Sequence, residues 1–159
     1  MRNLTNAARS KEVLTPVNIK PVIRDDATAR FFDATAEGKF LLRRSGSSGE
    51  ILTPSAEQDS AGNTDLEWVE ASGYGRVVSW AFVPQRAVNP DSRSELTIGL
   101  IELDEGPWWW TQIIDARRED MVEGLRVRAV YRKSGHDVAD EYVALFVPDR
   151  DASAAAGPG

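Results

Sequence analysis

The single histidine of the chain, His136, stands in Lys133-Ser134-Gly135-His136-Asp137. A hydroxyl, an imidazole and a carboxylate are the residue types of nucleophilic acyl transfer, in which the ring takes the hydroxyl proton and the carboxylate orients the ring. Neighbours in one short loop rarely point at one another as that chemistry needs, so the segment reads as a solvated hairpin loop. Asp104 and Glu105 offer paired carboxylates for proton transfer. Gly106 and Pro107 follow at once and make them turn residues instead. Gly73-Tyr74-Gly75 opens like a dinucleotide-binding loop, but Val78 stands where a third glycine belongs. A strand also follows where a helix N-terminus would hold a pyrophosphate. Gly46 to Gly49 lacks the Lys and the Ser/Thr of a nucleotide loop. No catalytic residue is assigned, and no cofactor is expected.

Trp108-Trp109-Trp110 carries the most binding potential. Successive side chains of a strand face opposite sides, so Trp109 cannot share a face with Trp108 and Trp110. One set can fill an interior; the other must be covered by another part of the chain or by a partner. Tryptophan is enriched where protein interfaces concentrate their energy. On a barrel the same rings could instead stack on nucleic-acid bases, but that use needs basic neighbours. Asp104, Glu105 and Asp115 flank the run.

The elements that must position these residues follow from hydrophobic period and turn chemistry. Pro16 and Pro21 bracket Val17-Asn18-Ile19 and predict an extended arm, because proline fixes φ and removes a donor. Asp25 and Asp26 can cap the free amides of a helix, and Gly38 can stop it. Between them Ala27, Phe31 and Ala34 share one face, with Phe32 alongside. Short apolar runs at Phe40-Leu41-Leu42, Ile51-Leu52 and Leu66 to Glu70 come next. Five stronger strands follow, at Arg76 to Val83, Leu96 to Leu103, Trp108 to Ile114, Arg126 to Tyr131 and Tyr142 to Val147. Asp104 to Pro107 predicts a tight hairpin, and Asp115 to Glu123 a short helix or turn. Five strands with a helical link after the third predict a mainly β fold, an OB-type barrel.

Composition narrows the partners. The chain has 159 residues, suited to one domain with an appendage. Its formal charge of −6 opposes general nucleic-acid binding, where phosphate neutralisation supplies much of the affinity. It equally opposes adsorption to an anionic membrane surface. There are no cysteines, which removes disulfides, thiolate nucleophiles and cysteine-ligated zinc. No signal-peptide core or membrane-spanning run is present, and a cytoplasmic protein is expected.

The order of the pieces resembles the acyl-CoA-associated OB-fold family known as domain of unknown function 35, which places a rubredoxin-like zinc ribbon before the barrel. The resemblance is carried by Phe31-Phe32-Asp33-Ala34 and Glu37 to Arg43, then Asp65 to Gly75 with Val77-Val78-Ser79-Trp80. It continues through Leu100 to Pro107 and Glu123 to Val127. It implies a non-catalytic accessory subunit that binds and stabilises a thiolase-superfamily partner acting on acyl-CoA. Such partners are thiolases, acyltransferases or lipid-transfer-protein-like aldolases, commonly encoded next to it in bacteria. It also implies a hetero-oligomer with two copies of each chain, and possible acyl-CoA contact. Phe31, Phe32, Trp108, Trp109 and Trp110 are the candidate interface residues. A nucleic-acid-binding OB domain is the alternative that barrel shape alone would allow.

The family's four zinc cysteines fall on Ser45, Ser48, Gln58 and Ala61, none of them a competent zinc ligand. Structural zinc contributes on the order of 10 kcal/mol to folding in small ribbons. Without it, residues 45–61 are expected to be held less firmly than the barrel strands. The expected division is an extended arm (1–24), a helix (25–38), a degenerate zinc-ribbon segment (39–70), the OB-fold barrel (71–148) and a disordered tail (149–159). With no metal ligands predicted, the purified protein should carry no zinc. Near-stoichiometric zinc surviving dialysis against chelator, by elemental analysis, would contradict this reading.

Overall fold

The computed structural model describes residues 19–85 and 94–153. Pro16, Val17 and Asn18 of the expected arm and residues 154–159 of the expected tail lie outside that range. Residues 150–153 form one helical turn, Arg150–Ser153, where disordered tail was expected.

Helix α1 spans Ala29–Ala36, inside the expected 25–38. Asp25 starts it: Asp25 Oδ1 accepts the Thr28 amide at 2.9 Å and the Thr28 hydroxyl at 2.6 Å. This is the local side-chain turn that makes aspartate common before helices. At the other end the amides of Gly38 and Lys39 bond back to Thr35 and Ala34 carbonyls. That double closure requires the left-handed backbone that Gly38 adopts at φ 75°. Phe31 and Ala34 are thereby turned into the protein.

Strands β1 (Phe40–Ser45), β2 (Ile51–Leu52) and β3 (Leu66–Ala71) form a three-stranded antiparallel ribbon in the order β2-β1-β3. Phe40 and Leu42 lie on its inner face and are fully buried. The barrel comprises β4 (Tyr74–Gln85), β5 (Ser94–Leu103), β6 (Trp108–Ile113), β7 (Arg126–Lys133) and β8 (Tyr142–Pro148). It closes in the order β4-β5-β6-β8-β7, the five-stranded OB arrangement read from the sequence. A bulge between Val77 and Ser79 inserts one residue, so that Val77 and then Trp80 both face inward. Gly75 marks where β4 and β5 approach closely: a Cβ there would lie 2.6 Å from the Glu102 carbonyl oxygen. The Gly73-Tyr74-Gly75 sequence thus serves strand packing. The 3-10 turn Arg118–Asp120 occupies the link after β6, and the Asp104 to Pro107 turn closes with Gly106 N–H donating to the Leu103 carbonyl.

The described end of the arm, residues 19–24, packs on the barrel. Ile19 packs on the cluster of Ile114, Val130, Leu145 and Val147, and the Val22 amide donates to Ser134 Oγ at 3.1 Å. Arg24 forks onto Glu141 and reaches Asp33 at 2.7 Å, tying arm, β7–β8 hairpin and helix together. Ser134, expected to be solvated, is therefore fully buried as the anchor of the arm, whereas His136 is exposed.

Within residues 45–61 a carboxylate joins the two turns. Asp59 is 4 % exposed, and its Oδ2 accepts from Ser45 Oγ at 2.8 Å, Ser48 Oγ at 2.6 Å and Asn63 Nδ2 at 2.8 Å. Its Oδ1 accepts the amides of Ala61 at 3.0 Å and Asn63 at 2.8 Å. Ser45 and Ser48, where the resemblance places two of four zinc ligands, donate protons to an anion lodged between the two turns. This site does not fit zinc: Ser45 and Ser48 offer neutral hydroxyls, Gln58 and Ala61 offer no zinc donor, and the one carboxylate is engaged by five donors. Hydrogen bonds from Ser48 and Asn63, then Ser45, hold the Asp59 carboxyl well below the usual carboxylate range. A depressed folded-state pKa stabilises the fold above the unfolded pKa and loses that effect as pH falls. The turns should therefore loosen progressively below about pH 4. Asp59→Asn should give the same effect at neutral pH, since an amide places its own N–H groups against those donors. Amide exchange at Ala61 and Asn63 should rise about tenfold or more with Leu96–Leu103 unchanged. Exchange at Ala61 unaltered by the substitution would contradict the assignment.

Candidate functional site

Strand β6 settles the orientation of the tryptophan run. Trp108 and Trp110 are 56 % and 65 % exposed, while Thr111 and Ile113 are buried. Trp109 points inward with them. Its ring lies 5.2 Å from Phe40 and 5.9 Å from Phe31, and Phe40 lies 6.1 Å from Phe146. The geometry is mostly edge-to-face, which aromatic quadrupoles favour. Of the five candidate residues, Phe31 and Trp109 are thus taken up by this cluster, and Phe32 packs half-buried against it. Only the Trp108/Trp110 pair stands outward.

The pair has apolar company. In the β5–β6 register Leu100 lies beside Trp110 and Ile98 beside Gln112, and across β5 Ala81 pairs with Ile98 and Val83 with Leu96. These outward positions form one apolar stripe over three strands, with Val83 41 % exposed. Charges border it and are already paired: Arg76 with Glu102 at 2.7 Å, and Arg118 with Glu95 at 2.6 Å. Asp104, imagined as one of two catalytic carboxylates, is bonded to Arg126, which lowers its pKa. Glu105 accepts the Ser72 amide at 2.6 Å. Both fix turns. Among the described residues no three His, Asp or Glu side chains are grouped to hold a metal ion.

Sequence reasoning reached the tryptophan run but missed the stripe around it, which forms only once the bulge sets the β4–β5 register. It also missed Asp59; the signal was a Ser-x-x-Ser pair followed by an Asp-x-x-x-Asn pair.

A five-stranded barrel closing in this order is an OB fold. The sequence profile of the ChsH2 C-terminal OB-fold domain matches residues 68–132. A DUF35 domain-containing scaffold protein of Methanocaldococcus jannaschii is 29% identical over 127 residues, covering 78% of this chain and 90% of the relative. Another of Pyrococcus furiosus is 31% identical over 72 residues, 45% of this chain and 53% of the relative. The solved Ltp2-ChsH2(DUF35) aldolase contains a chain similar in fold, with TM-score 0.66 and 22% identity over 81% of this chain and 98% of that one. A DUF35-family protein of Sulfolobus solfataricus matches with TM-score 0.55 and 14% identity over 78% and 86%. These matches support a place for the chain among DUF35 OB-fold proteins.

The two tryptophan faces predict opposite responses to truncation. Trp109→Ala should cost about 3 kcal/mol by emptying an aromatic cluster. Trp108→Ala and Trp110→Ala should each stay within about 0.5 kcal/mol of the parent. Denaturant unfolding measures both; a Trp110→Ala loss as large as that of Trp109→Ala would reverse the orientation.

Proposed function

We propose that this chain is a non-catalytic OB-fold accessory subunit, cytoplasmic, that docks on a thiolase-superfamily partner acting on acyl-CoA. The observation that carries this reading is the Trp108/Trp110 pair, more than half exposed on an apolar stripe. Exposed apolar surface of this kind marks interfaces, and buried tryptophans dominate their energy. The relatives' description as scaffold proteins and the likeness to a chain of the Ltp2-ChsH2(DUF35) aldolase support a partner of that class. The partner performs the chemistry, and this chain stabilises it. Thiolase-like dimers present two equivalent faces, so the assembly holds two copies of each chain. Base stacking by the same rings is the competing use. The stripe carries no free cation among the described residues, since Arg76 at its border is bound to Glu102, and phosphate contacts would need one.

Co-expression with a thiolase-superfamily protein should give a complex that survives gel filtration. Trp110→Ala, which leaves the barrel folded, should weaken it about thirtyfold, the equivalent of a hot-spot loss of ~2 kcal/mol. An unweakened complex would remove the tryptophans from the interface. Salt-sensitive retention on single-stranded DNA with no protein partner would favour the competing use.

A further inference from the structure

Strands β6 and β8 close the barrel by a single bridge, Ile113 with Phe146. Beyond it, toward Trp108, β6 pairs only with β5, so its second edge has no strand partner among the described residues. A cavity of about 290 Å³ occupies the seam. Trp109, Trp110, Thr111 and Gln112 all line it, as do Val143 and Ala144. Consecutive residues alternate between the two faces of a strand, so a cavity touched by every one of them faces the strand's edge. The edge of β8 is already satisfied: the Thr35 hydroxyl donates to the Tyr142 carbonyl at 2.7 Å, and that of Thr111 to the Ala144 carbonyl at 3.4 Å. Among the described residues no hydrogen bond of this kind covers the edge of β6 along Trp110. The far wall of the cavity is apolar, with Phe31, Phe32 and Trp68, the last held in place beneath Arg43 at 4.3 Å.

We propose that this seam is a strand-capture site. It takes an extended apolar segment of a partner polypeptide, which hydrogen-bonds along the free edge of β6 and sets an aliphatic side chain in the cavity. Two observations choose this occupant over a lipid chain. An open strand edge needs backbone donors and acceptors, which only a polypeptide supplies in register. No lining residue carries a charge, so nothing in the cavity wall would hold a carboxylate or phosphate headgroup. Trp110 borders both the cavity and the outer stripe, so a segment entering the seam would continue the proposed docking face. The inference builds on a protein partner but not on which protein it is.

The test uses the full isolated chain and needs no thiolase-like protein, so its failure is distinguishable from failure of the docking reading. A terminally blocked hexapeptide of alternating leucine and threonine is titrated against the isotope-labelled protein. Amide shifts centred on Trp110 and Gln112 are expected, with a Kd on the order of 1 mM. The same peptide N-methylated on alternate amides should bind about tenfold or more weakly, because it cannot complete a ladder. Ala144→Leu, which narrows the seam, should abolish the shifts; its thermal unfolding is checked alongside, and the methylated peptide decides the matter if that variant does not fold. No shift at Trp110 overturns the proposal. So do equal binding of both peptides, shifts given equally by decanoate, and concentration-dependent shifts without peptide, which would assign the seam to a second copy of the chain.

Discussion

Three consecutive tryptophans on one strand cannot all be buried on the same side, and the rest of the molecule is arranged around that constraint. Trp109 faces in and meets Phe31 from the helix, Phe40 from the ribbon and, through Phe40, Phe146 from the barrel. Helix, ribbon and barrel thereby share one core. The alternation that places Trp109 in this cluster places Trp108 and Trp110 in solvent. The residue that assembles the fold and the residues of the proposed docking face are therefore neighbours, each orientation following from the other.

The two turns of the ribbon are joined through one carboxylate. A metal joins two turns by drawing in electron-pair donors; Asp59 joins them by drawing in proton donors, Ser45 and Ser48 among them. Both arrangements place a compact charge between the turns and satisfy it from several directions. Their responses differ. A zinc site is undone by chelators and by ligand protonation, whereas the carboxylate hub is indifferent to chelators and fails when Asp59 is protonated.

Much of this architecture is legible in the chain. Hydrophobic period gave the five barrel strands, and Asp25 with Gly38 bracketed the helix because those residue types are needed at those backbone conformations. What the chain conceals depends on pieces distant in sequence. Ser134 reads as a loop hydroxyl until the arm, 112 positions away, donates to it. Asp59 reads as one more polar turn residue until the turn at Ser45 closes over it. The inward choice of Trp109 rests on strand parity, which the β5–β6 register settles. Beyond Ile113 and Phe146, β6 and β8 have no further pairing among the described residues, and no residue type announces that seam.

The central claim is that the tryptophan pair is the surface given to a partner while Trp109 belongs to the fold. Hydroxyl-radical footprinting with mass spectrometry, on the free chain and on its complex with the co-expressed thiolase-like protein, reads all three rings together. The account predicts strong oxidation of Trp108 and Trp110 in the free chain, falling about tenfold or more in the complex, with Trp109 protected in both states. Trp108 and Trp110 remaining equally oxidised in the assembled complex would contradict it.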